Sequence, residues 1–105
     1  MPVRGDGNPL IAAAGRGRVD VVNLLLNRGA NIEQIVPDDE NALITASANG
    51  RLQVVQLLVS RRADVNVRVW VEGWPQGEWR TALGMARKHG HQAVVDFLVS
   101  VGARD

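Results

Sequence analysis

Trp70, Trp74 and Trp79 are the only tryptophans of this chain, and Arg68 and Arg80 flank them. Indole and guanidinium groups are the chemistry of recognition. Trp buries a large area with few rotors and keeps a polar handle, and Trp and Arg are enriched among interface hot spots. A second group is acidic: Asp38, Asp39 and Glu40 follow Pro37 and are suited to receiving a basic partner. Together these eight residues form the candidate partner-binding set. Two plainer readings stay open beside it. Trp70 and Trp79 could face each other as a cross-strand pair that merely staples a hairpin. The three acids could be a solvated turn that complements the next helix N-terminus.

Chemistry of other kinds finds little to work with. The chain has no cysteine, so it offers no disulfide framework, thiolate metal site or cysteine nucleophile. His89 and His91 lack the Cys or adjacent carboxylate that would complete a metal site. Arg4-Gly5-Asp6 spells an integrin-type tripeptide, an easy coincidence in a chain with eleven Gly and as many Arg. No Gly-rich phosphate loop, Gly-x-Ser-x-Gly turn or His-Glu-x-x-His run occurs. The expectation is a non-enzymatic protein with no metal or cofactor.

The elements that hold these residues come from an internal repeat. Asn8-Pro9-Leu10, Ala13-Ala14, Gly17 and the run Val21 to Leu26 return as Asn41-Ala42-Leu43, Ala46-Ser47, Gly50 and Val54 to Val59. They return again as Thr81-Ala82-Leu83, Ala86-Arg87, Gly90 and Val94 to Val99. The period is 33 residues from Gly17 to Gly50 and 40 from Gly50 to Gly90. Such periods mean stacked supersecondary units. Asn8, Asn41 and Thr81 can cap a first helix, and Pro9 suits its first position. Gly17, Gly50 and Gly90 end that helix in the left-handed conformation. A second helix starts near Val19, Leu52 and Gln92. Its apolar residues cover more than one stripe, which requires packing on several sides. Gly29 and Gly102 stop it.

The pattern resembles the ankyrin repeat. It has the Thr-Pro-Leu-type opening, the Gly-His-type linker (Gly90-His91 matches fully), the Val-Val-x-Leu-Leu-Leu helix and the Gly-Ala-Asp-Val-Asn-type exit at Ala63-Asp64-Val65-Asn66. The resemblance implies an all-α repeat solenoid of helix-turn-helix units joined by β-hairpin loops, one domain over 1–105 with repeats about 7–39, 40–79 and 80–105. It also implies a protein partner bound by the hairpin tips and the concave face of the first helices, where Ile11, Ile44, Asn49 and Lys88 are further candidates. For His91 it implies a hydrogen bond that closes the inter-helix turn. A looser likeness of Val36 to Leu43 and Gly77 to Thr81 to ankyrin modules of bacterial membrane sensor-peptidases gives a rival: an accessory domain of a larger bacterial sensor or enzyme. A third reading is a purely structural, self-associating stack.

Four departures from the pattern are informative. Arg62 stands where Gly29 and Gly102 stand in the other units. Arg87 replaces the small Ala14 and Ser47, would crowd a following unit, and so is expected to end the stack. No polar capping unit precedes the first repeat, which points to a fragment of a longer chain or to weak self-association through that face of an otherwise monomeric domain. The linker from Asn66 to Thr81 holds fourteen residues where Glu33 to Asn41 holds seven. Alternation in Val67 to Val71, then Gly73-Trp74-Pro75-Gln76-Gly77, predicts an extended second β-hairpin that carries every tryptophan.

Composition agrees with an aliphatic stack. Hydrophobic residues are 46% of the chain but aromatics only 4%, so the core must be Val, Leu, Ile and Ala. A net charge of +1 gives no reason to expect nucleic acid or an anionic membrane. No apolar run approaches the roughly 20 residues that span a bilayer, and no signal peptide opens the chain. A cytoplasmic location is expected.

Overall fold

Helices of seven and nine residues are too short to persist alone in water, so each must be held by its neighbours. The structure is a computed structural model and describes residues 8–35, 41–73 and 75–104. Among these, six helices and two strands follow in the order α1 (Pro9–Gly15), α2 (Val19–Asn27), α3 (Ala42–Ala48), α4 (Leu52–Ser60), β1 (Val69–Val71), β2 (Glu78–Arg80), α5 (Ala82–Lys88) and α6 (Gln92–Ser100). Arg4, Gly5, Asp6, Asp38, Asp39, Glu40 and Trp74 lie outside the described residues.

The capping chemistry read from the sequence is present in all three units. Asn8 Oδ1 accepts from the Ile11 amide at 3.0 Å, Asn41 Oδ1 from Ile44 at 2.9 Å and Thr81 Oγ1 from Gly84 at 2.9 Å. Pro9 occupies the start of α1. Each second helix closes with the same backbone hydrogen bond. Ala30, Ala63 and Ala103 amides donate back to Leu25, Leu58 and Leu98 at 3.0 Å. That closure needs a left-handed residue just before, and Gly29 and Gly102 supply it with φ of 92°. In the second unit Arg62 takes this place with φ of 73°, alone among the described non-glycine residues in having positive φ.

First helices α1, α3 and α5 pack side by side in one layer, and α2, α4 and α6 form the second. A smallest dimension of 19 Å matches two helix layers. Leu10, Ile11, Leu43, Ile44 and Leu83 from one layer meet Val22, Val54, Val55, Leu58, Val94 and Leu98 from the other. Ala14, Ala46, Ser47 and Ala86 are fully buried, which allows the first helices their close approach. Met85 joins this core beside the expected aliphatic residues.

The two ends differ. In α4 and α6 the pairs Val54/Leu58 and Val94/Leu98 are buried, but their counterparts Val21 and Leu25 in α2 are only half-buried and Leu24 is exposed. Arg87 is exposed on α5, in the last first-layer helix of the described stack.

Between the second and third units β1 and β2 pair antiparallel, with Val69 opposite Arg80, Trp70 opposite Trp79 and Val71 opposite Glu78. The extended hairpin expected from the linker is therefore formed. Val69 and Val71 turn one face into the core, and the tryptophan face turns outward.

Candidate interaction surface at the second hairpin

Alternation along β1 and β2 places Arg68, Trp70 and Trp79 on one face and Val69, Val71, Glu78 and Arg80 on the other. Trp70 and Trp79 meet edge to face, with ring centroids 5.3 Å apart and planes at 68°. The Arg68 guanidinium lies over the Trp79 ring, 5.0 Å from its centroid. Trp70 also packs on the backbone of Gly77, where a Cβ would come within 2.5 Å of the indole. The stapling reading thus describes the pair correctly, yet stapling does not hide it. Trp70 remains 44% exposed and Trp79 57%. An exposed cation-π contact contributes about 0.5–1 kcal/mol, so Arg68 and Trp79 are only loosely held together.

The other face of β2 is electrostatic. Arg80 Nε donates to Glu78 Oε2 at 2.7 Å, and Lys88 Nζ lies 3.7 Å from the same oxygen. The hydrogen bond from Arg80, then the charge of Lys88, hold the Glu78 carboxyl below its ordinary pKa. A pocket of about 330 Å³ between β2 and α5 is lined from both faces, by Arg68 and Trp79 and by Glu78 and Arg80, together with Thr81, Gly84, Met85 and Lys88. Gly84 lines this space. It stands three residues after the cap Thr81, where Ile11 and Ile44 follow Asn8 and Asn41. Those isoleucines are buried in the core, whereas Gly84 has no side chain to occupy the corresponding place and lines the pocket.

Four of the eight expected partner-binding residues, Arg68, Trp70, Trp79 and Arg80, therefore come together on one hairpin. Asp38, Asp39, Glu40 and Trp74 lie outside the described residues. Of the first-layer candidates, Lys88 joins the pocket. Ile11 and Ile44 are core residues, capped and covered, and do not face a ligand. Asn49 is exposed but donates to the Gly15 carbonyl at 2.9 Å, tying the second unit to the first. His91 differs from its expectation as well. Its Nε2 lies 3.0 Å from the Ala48 carbonyl of the preceding unit, so it links units instead of closing its own turn. The His89 and His91 ring centroids are 6.4 Å apart, and no group of three or more metal-ligating side chains gathers among the described residues.

Glu78, Gly84 and Met85 escaped the sequence reading. Gly84 had a legible signal, since it is a glycine at a position that holds isoleucine in both earlier copies. The Glu78–Lys88 contact joins a strand to the far end of a helix and has no local signature.

The family model for ankyrin repeats (3 copies) matches residues 3–69. The crystal structure of the human ASB11 ankyrin repeat domain superposes with a TM-score of 0.78 at 28% identity. That likeness covers 92% of this chain and 41% of the ASB11 chain, so this chain spans less than half of the domain it resembles. No curated protein matches the sequence significantly. No helix among the described residues is long and apolar enough to cross a membrane.

Proposed function

The chain belongs to the ankyrin repeat family, and from that premise we propose that it is a non-catalytic module that binds a protein through its concave first-helix layer and its second hairpin. Ankyrin repeats generally act as protein–protein interaction modules. The observation that carries the finer reading is the half-exposed Trp70–Trp79 pair with Arg68 upon it, in a protein whose core is otherwise aliphatic. A rigid indole pair needs little ordering on binding, which favours it as an anchor. The rival reading, an accessory domain of a larger bacterial sensor or enzyme, would use the same surface against its own chain. No observation at the hairpin favours it.

Selection of a displayed random-peptide library on the folded domain tests the proposal. Binders are expected to lose roughly tenfold or more in affinity, about 1.4 kcal/mol, on Trp79→Ala. Binders indifferent to Trp79→Ala and Trp70→Ala would move the interaction surface elsewhere. Self-association has one observation in its favour, the half-buried Val21 and Leu25 beside exposed Leu24. Light scattering over a concentration series decides it: a mass that stays monomeric removes that reading.

A further inference from the structure

We infer that the pocket between β2 and α5 is a carboxylate-binding subsite, and that the segment it takes is an acidic peptide with an apolar residue beside its Asp or Glu. This deepens the reading above and rests on it.

Among the described residues, Arg68, Arg80 and Lys88 line the pocket together with Glu78. Glu78 already shows the chemistry of the place. A carboxylate oxygen sits 2.7 Å from the Arg80 Nε and 3.7 Å from the Lys88 Nζ. Glu78 lies closer to Arg80 than to Lys88, and Arg68 meets the Trp79 ring, so a second carboxylate from outside would find its cations at Arg68 and Lys88. The Trp79 ring and Met85 supply the apolar wall for a neighbouring side chain. Gly84 supplies the depth, because the isoleucine that fills this position in the other two units is missing. Space, the exposed cations Arg68 and Lys88 and an exposed aromatic wall thus coincide at one place.

A polyanion such as single-stranded nucleic acid fits less well. The whole chain carries a net charge of only +1, too little to hold a phosphate chain by its backbone charges.

The test is a titration of the isotopically labelled 105-residue domain, followed by amide and indole NMR shifts. The probes are three short peptides that differ only at the centre, Glu-Leu-Glu, Gln-Leu-Gln and Lys-Leu-Lys, together with a thymidine oligonucleotide. The acidic peptide is expected to shift Trp79, Gly84 and Lys88 signals and to bind at least roughly tenfold tighter than the glutamine peptide. Lys88→Glu and Gly84→Ile are expected to remove that binding while the spectrum keeps its folded dispersion. Gly84→Ile introduces a side chain the other units already carry, so it fills the pocket without changing charge.

Equal binding of the acidic and glutamine peptides, shifts remote from the pocket, or no shift up to about 1 mM peptide would overturn the inference. Tighter binding of the oligonucleotide would overturn it also and assign the pocket to nucleic acid. If the carboxylate preference fails but library binders still depend on Trp79, the interaction reading stands without this subsite. If neither depends on the hairpin, both fall.

Discussion

Arg62 occupies a position built for glycine. Its φ of 73° is held because the Arg62 and Ala63 amides donate to Val59 and Leu58 at 2.9 and 3.0 Å. The left-handed conformation costs an L-residue roughly 1–2 kcal/mol. Arg62→Gly is therefore expected to stabilise the domain by about 1 kcal/mol, a rise of roughly 4–8 °C in melting temperature for this size. A melting temperature unchanged or lowered would mean that Arg62 makes a compensating contact. Glu78 gives a second residue-scale prediction. Its folded pKa is depressed by the Arg80 hydrogen bond and the Lys88 charge. The stabilisation linked to it is present above the unfolded pKa of about 4.3 and is lost as pH falls through the lower folded value. A carboxyl NMR titration should show a Glu78 midpoint below that of a free glutamate, and Arg80→Ala should raise it. A midpoint indifferent to Arg80→Ala would sink the assignment. Arg62 could be read in the sequence because the two other units carry glycine there. Glu78 could not, because what lowers its pKa is a strand neighbour and a helix end.

At the scale of elements, local rules sufficed for the helices and not for the hairpin's role. Caps at Asn8, Asn41 and Thr81, turns at Gly17, Gly50 and Gly90, and stops at Gly29 and Gly102 act within a few residues, so the periodic sequence displays them directly. The hairpin's existence was equally legible from alternation and its Gly/Pro tip. Whether its tryptophans pair or project was not, since that depends on strand register, and the structure shows them doing both. A double-mutant cycle of Trp70→Ala and Trp79→Ala should give a coupling of about 0.5–1.5 kcal/mol, the ordinary value for an edge-to-face pair. A coupling near zero would mean that the rings contact without stabilising each other. Gly77 belongs to the same element. Gly77→Ala would drive a methyl into Trp70 and should weaken the pair as much as removing one ring.

Across the whole molecule, each unit reaches back to the one before through equivalent atoms. Arg51 Nε donates to the Gly15 carbonyl at 3.1 Å, and His91, in the corresponding place, meets the Ala48 carbonyl at 3.0 Å. Glu33 accepts from the Asp64 amide at 2.8 Å, and Asn66 accepts from the Arg104 amide at 2.7 Å. The longer second linker leaves this stacking undisturbed, because its extra residues are absorbed in the hairpin. Different side chains perform the same link in successive units, which hid these bonds from a search for repeated residue types. Stacking makes burial graded along the chain, and stability should follow it. Leu58→Ala, in the fully buried centre, is expected to cost about 2–5 kcal/mol in urea denaturation, and Leu25→Ala in the half-buried first unit distinctly less. Equal losses would show that the first unit is covered as well as the middle one.

All three indoles fall between positions 70 and 79, and the chain has no tyrosine. The domain therefore carries its own optical label. Ultraviolet emission arises from the projecting finger alone, while amide circular dichroism is dominated by the six helices. Two spectroscopic channels thus watch two parts of one chain with no dye attached, and a rapid-mixing experiment that records both would time the closing of the finger against the assembly of the stack.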